Sequence, residues 1–167
     1  SLLLALPLFA SPRPLARAVV LLMFGFYSLF YVGLDQAGKS AQRRASVAHL
    51  TQAIAPLVDR DENCLWIFDG PSVLYRSTNS CIPTRFVYPD HLNNALETEA
   101  LGVDQTKEVA RILAALPPVI VTASDPLTRQ NMAARKLVAN ALQRDYEPLA
   151  NAELGKRTVR AWRRRAR

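Results

Sequence analysis

The chain is poor in the residues on which much enzyme chemistry depends. Its 167 residues include six glycines, two histidines, two cysteines and two methionines. No glycines stand as G-x-G-x-x-G or G-x-x-x-x-G-K, so a dinucleotide fingerprint and a phosphate loop of those types are excluded. No serine sits in a G-x-S-x-G elbow, although Ser, His and Asp are all available. There is no C-x-x-C, and the two histidines, His49 and His91, are not an i, i+4 ligand pair. His49 has no second ligand nearby and reads as a solvated or capping residue. Internal repeats are absent, and the only biased segment is Arg-rich.

Charge is missing from two long stretches. "SLLLALPLFA" (1–10) and "AVVLLMFGFYSLFYVGL" (18–34) contain no Asp, Glu, Lys or Arg. The second has 17 residues, the short end of what crosses a hydrocarbon core of about 30 Å. It lacks the polar face of a soluble helix, and Tyr27, Phe30 and Tyr31 suit a bilayer interface. It reads as one full transmembrane span, which makes membrane lipid an expected partner. The first run is too short to cross alone. As a signal peptide it would lack a basic leading region, so it reads as the tail of an earlier membrane helix. "SPRPLAR" (11–17) is then a tight inter-helix loop broken by Pro12 and Pro14.

The net charge of +7 is local in origin. Residues 156–167, "KRTVRAWRRRAR", carry seven positive charges and no acid, which leaves 14 basic and 14 acidic residues elsewhere. A neutral body with a basic tail does not fit nucleic-acid binding, which requires a basic face interleaved with aromatic residues. Arg13 and Arg17 before the apolar run balance Lys39, Arg43 and Arg44 after it, so the positive-inside bias does not orient the chain. Cys64 and Cys81 favour the extracytoplasmic side. Each opens an apolar run read as a strand, "CLWIF" and "CIPTRFVY". If those strands are parallel neighbours, the cysteines lie at one end of the sheet, within disulfide reach. A bridge would imply an oxidising compartment, here outside the inner (cytoplasmic) membrane; the alternative is a pair of buried thiols.

Beyond the span, Val47, Leu50, Ile54, Leu57 and Val58 recur at helical spacing. They predict a helix leading off the membrane and packing on a sheet. "CLWIF" is a continuous apolar run, as in a strand buried on both faces. "PSVLYRST" reads as a short helix with Pro71 in its first turn. "DHLNNALETEALG" reads as a helix capped by Asp90 and stopped by Gly102. "TKEVARILAAL" predicts an amphipathic helix capped by Thr106 or Asp104, and "VIVTA" (119–123) a buried strand. A further helix follows, capped by Ser124 or Asp125, with Leu127, Ala134, Val138, Ala141 and Leu142 inward. "YEPLA" and "RTVRAW" predict a hairpin around Asn151–Gly155.

Alternating strands and helices imply an α/β fold. The expected architecture is an N-terminal transmembrane helix followed by a small three-layer domain with a mostly parallel sheet and a C-terminal strand pair. The segments are a membrane region 1–34, a connecting helix 35–60, an extracytoplasmic domain 61–155 and a basic tail 156–167.

In such sheets ligands sit beyond the carboxyl ends of strands. Asp69, at the end of "CLWIF", is therefore a candidate general base or metal ligand, with a helix-capping role as the plainer reading. Thr122, Ser124 and Asp125 hold the corresponding place after "VIVTA". Tyr75, Arg76 and Arg85 are candidates to face a polar or anionic ligand, or else braces between elements. No metal site and no cofactor is expected, and the domain reads as non-catalytic.

An apolar helix followed by "IFDGPSVLYRSTNSCIPTRFVYPDHL", an amphipathic helix and "LPPVIVTASD" resembles the C-terminal end of multi-spanning bacterial GT-C-type glycosyltransferases. These are mannosyltransferase-like enzymes that use polyprenyl-phosphate sugars. Many end in a small extracytoplasmic α/β domain in which a Leu-Tyr pair precedes an Arg-Phe or Arg-Tyr strand, matched here by Leu74-Tyr75 and Arg85-Phe86. The resemblance spans roughly residues 18–150. It implies a fragment that would meet the polyprenyl-phosphate sugar through upstream helices. The family's catalytic acid lies in an early loop of a many-span chain, and no residue here matches it.

Overall fold

The computed structural model describes residues 14–28, 30, 34–98, 100 and 102–166. The chain divides into two compact units, Ser1–Gln42 and Arg43–Arg167. The first contains helix α1 (Pro14–Tyr27) and the start of helix α2 (Leu34–Ile54), which continues into the second unit. Leu22, Met23, Phe24 and Phe26 on α1 are all exposed.

The transmembrane span expected at 18–34 is overturned. Among the described residues, no helix is long and apolar enough to cross a membrane. Helix α1 has 14 residues, about 21 Å at the α-helical rise, against a hydrocarbon core of about 30 Å. It starts at Pro14, inside the segment expected to be an inter-helix loop. The expected earlier membrane segment, 1–10, lies outside the described residues, as do positions 29 and 31–33 of the expected span.

The second unit is an α/β domain with a four-stranded mixed sheet in the order β1-β2-β4-β3. Strand β1 (Leu65–Ile67) pairs in parallel with β2 (Val119–Ala123), Leu65 opposite Val119. Strand β4 (Arg157–Arg164) is antiparallel to β2 on one side and to β3 (Tyr146–Leu154) on the other. The sheet is therefore not mostly parallel, which corrects the expectation. Cys81–Tyr88, expected as a parallel strand, forms none. Pro83 removes a ladder donor from it, and the place beside β2 goes to β4. The segment read as a basic tail thus supplies an inner strand. It does so because its residues alternate: Val159 and Ala161 enter one core while Trp162 packs on the other.

The sheet has a core on each face. On one, Leu50 and Ile54 of α2 and Leu74 and Tyr75 of helix α3 (Val73–Ser77) cover Leu65, Ile67, Val119 and Val121. On the other, Val109 and Ile112 of helix α5 (Gln105–Ala114) and Ala134 and Val138 of helix α6 (Met132–Asp145) cover Trp66, Phe68 and Ile120. This two-sided burial accounts for the unbroken apolar runs of β1 and β2.

Two helix boundaries differ from expectation, and one cap is decided between its alternatives. Residues 90–102 form only helix α4 (Asp90–Asn93) and a 3-10 turn, Ala95–Glu97. Asn94, extended, breaks the run and its side chain accepts from Leu96 N. Helix α6 starts at Met132, capped by Asn131, whose side chain accepts from Ala133 N and Ala134 N. Ser124 and Asp125 therefore cap nothing, and Leu127 is exposed rather than inward. Helix α5 is capped by Asp104, which accepts from Lys107 N.

Candidate functional site

Asp69 follows β1 at its carboxyl end. Its amide and that of Phe68 both donate to the Val121 carbonyl, at 3.2 and 2.9 Å, so β1 stays fastened to β2 to its last residue. The next residue must turn sharply, and Gly70 does so with φ of +152°. A Cβ there would come within 3.0 Å of Val121 Cγ1, so glycine is needed sterically as well as conformationally.

The Asp69 side chain is 12% exposed and is met by Arg157, whose Nη2 donates to Oδ1 at 2.7 Å. Arg157 Nε also donates to the Ser124 carbonyl at 3.1 Å, and Ser124 Oγ accepts from Thr158 N at 2.9 Å. One guanidinium thus ties the start of β4 to the ends of β1 and β2. Burial pushes the Asp69 carboxyl above the usual carboxylate range, against the opposing pull of Arg157. Asp90 and Arg135 also act on it through space, with opposite signs.

Beyond the carboxyl ends of β1 and β2 lies a cavity of about 160 Å³. Phe68, Asp69, Thr122, Gln130, Arg135 and Leu142 line it. Thr122 Oγ1 accepts from Trp162 Nε1 at 2.9 Å. Gln130 Nε2 is buried and has no hydrogen-bond partner among the described residues. The Arg135 guanidinium makes no ion pair or side-chain hydrogen bond among them either. Behind the cavity, buried amides link the helices. Asn93 Nδ2 donates to the Phe68 carbonyl at 2.7 Å, Gln105 Nε2 to the His91 and Asn94 carbonyls, and Asn131 Nδ2 to Gln105 Oε1 at 2.7 Å.

The other sequence candidates do not join Asp69. Tyr75 is buried on the opposite face of the sheet, and its hydroxyl accepts from Ile67 N at 3.1 Å. Burial pushes that phenol up to about 12, so Tyr75 is a brace. Arg76 is exposed on a separate groove beside Asn79 and Ser80. Arg85 lies 5.1 Å from the Phe86 ring centroid, on a third groove with Glu108 and Arg111. There Glu108 is held down to about 2 by Arg111, with the Thr84 hydroxyl also donating to it.

Cys64 and Cys81 are disulfide-bonded, with Cα atoms 4.6 Å apart. The geometry that joins them is not a strand pair. Asp59 Oδ1 accepts from the amides of Asp61, Glu62 and Asn63, and the Asp59 carbonyl accepts from Cys81 N at 2.7 Å. The Asn63 side-chain amide, which donates to Asp59 Oδ2, and the three backbone amides hold the Asp59 carboxyl well below the usual range. The loop before β1 is thereby pinned to the turn after α3.

Arg157, Gln130 and Arg135 were not singled out from the sequence. Arg157 lay in the basic tail, at the start of the expected strand "RTVRAW", and Gln130 and Arg135 fell within an expected helix. Only the pairing of β4 with β2 marks Arg157 as the Asp69 partner. Compared with known protein families, curated proteins and solved structures, the chain finds no match.

Proposed function

We propose that residues 43–167 serve as a non-catalytic accessory domain, of the kind that closes glycosyltransferases using lipid-linked sugars. The observation that carries the non-catalytic part is the engagement of Asp69. The best-placed carboxylate at the strand ends is held through Oδ1 by Arg157, and that pair joins three strands. Tyr75 is likewise spent on the Ile67 amide. The glycosyltransferase part rests on the resemblance around Leu74-Tyr75 and "VIVTASD". At Arg85-Phe86 the strand that the resemblance implies is absent. The Cys64–Cys81 bridge supports an oxidising compartment.

Asp69→Asn in the full-length protein tests this reading. The expected result is a lowered Tm with sugar transfer from a polyprenyl-phosphate donor changed less than about tenfold. A general acid or base at this position contributes about 100-fold or more, so a loss of that size with an unchanged Tm would overturn it.

A further inference from the structure

We propose that the cavity at the carboxyl ends of β1 and β2 binds a small neutral polyhydroxylated molecule, one sugar ring in size, through Asp69, Gln130 and Arg135. This goes beyond the accessory reading and stands without it. Three observations converge on the cavity. The first is an unmet need: Gln130 Nε2 is a buried donor with no partner among the described residues. Leaving such a group unsatisfied is costly, and turning the Gln130 side chain, which lines the cavity, toward a bound acceptor removes that cost.

The second is the balance of donors and acceptors. Asp69 Oδ1 is taken by Arg157, while Oδ2 accepts nothing among the described residues. A ligand hydroxyl donates to Oδ2, and its oxygens accept from Gln130 Nε2 and the Arg135 guanidinium. A hydroxyl does both, and several on one ring can meet all three groups. The two charged residues that line the cavity, Asp69 and Arg135, cancel formally. An anion would gain Arg135 but meet Asp69, so the field favours a neutral ligand.

The third is size and wall chemistry. The cavity measures about 160 Å³, close to an engineered cavity of about 150 Å³ that takes up benzene, so it admits the ring of a sugar with the outer hydroxyls left at its mouth. Phe68, Val138 and Leu142 provide an apolar wall for the C–H face of such a ring.

The test is a titration of the 167-residue chain with glucose, mannose and galactose, and separately with acetate and inorganic phosphate. The readouts are the Gln130 side-chain amide resonances and Trp162 fluorescence, since the Trp162 indole bonds Thr122 at the cavity wall. At least one sugar is expected to saturate both, with Kd on the order of millimolar for a ligand of this size. Gln130→Ala and Arg135→Met are each expected to weaken it by about tenfold, with the cooperative unfolding transition retained and, for Gln130→Ala, Tm equal or raised. Saturation by no sugar, saturation by the anions instead, or binding that survives both substitutions would each overturn the proposal. No enzymatic activity is measured, so its failure is distinct from that of the accessory reading.

Discussion

At the residue scale, Arg157 and Asp69 show how one buried ion pair can set the geometry of a sheet's end. Removing one partner of such a pair leaves the other charge buried and costs about 3 kcal/mol or more. Arg157→Leu is expected to lower stability by about that amount at neutral pH. The deficit should shrink in acid. Burial already raises the Asp69 carboxyl, and losing Arg157 raises it further. A raised acid binds protons more tightly folded than unfolded, so the variant gains stability as pH falls through its folded pKa toward the unfolded value near 4. Denaturant unfolding of both proteins across that range checks the sign. A deficit that grows in acid would show that Arg157 is not there for Asp69.

At the scale of elements, the segment from Asp59 to Cys81 behaves as a clasp around β1 and α3. The Asp59 loop, the Cys64–Cys81 bridge and Ser80, whose Oγ accepts from Leu65 N at 2.7 Å, close it at one end. The bridge spans a sequence separation of 17, and closing a loop near 15 residues stabilises by about 3 kcal/mol in the chain-entropy account. The double variant Cys64→Ala, Cys81→Ala should lose about that much in non-reducing denaturant titrations. Adding reductant to the native chain should give the same loss, and no effect on the variant. Equal response of both proteins to reductant would refute the assignment.

At the scale of the whole molecule, the core of Arg43–Arg167 includes part of α2. Leu50 and Ile54 are fully buried and roof one face of the sheet, whereas Leu57 beyond them is exposed. Residues 43–167 are expected to unfold in one cooperative transition with the Tm of the whole chain. A chain starting at residue 59 should lose cooperativity, because Val119, Val121 and Ala161 would be uncovered on that side. Calorimetry of the two fragments separates these outcomes, and a cooperative transition in the shorter one would place the core elsewhere.

What the sequence determined by itself is the set of elements whose pattern is local. The apolar runs of β1 and β2 and the periodicity of α5 are set by neighbouring residues, and so is the helix carrying Leu50 and Ile54; the C-terminal hairpin was expected too, but residues 151–154, placed in its turn, extend β3 instead. The tertiary structure alone decided which strand lies beside which. "CIPTRFVY" and "RTVRAW" are both plausible strands in isolation. Only packing decides that the basic one is an inner strand of the sheet, because it can bury Val159, Ala161 and Trp162 on two faces and keep every ladder donor, while Pro83 costs its rival one. The site followed from that choice. Asp69 was legible as the residue at a strand's end, but its partner Arg157 comes from 88 residues along the chain, and Gln130 reaches the same cavity from a distant segment; no local pattern encodes meetings of that range.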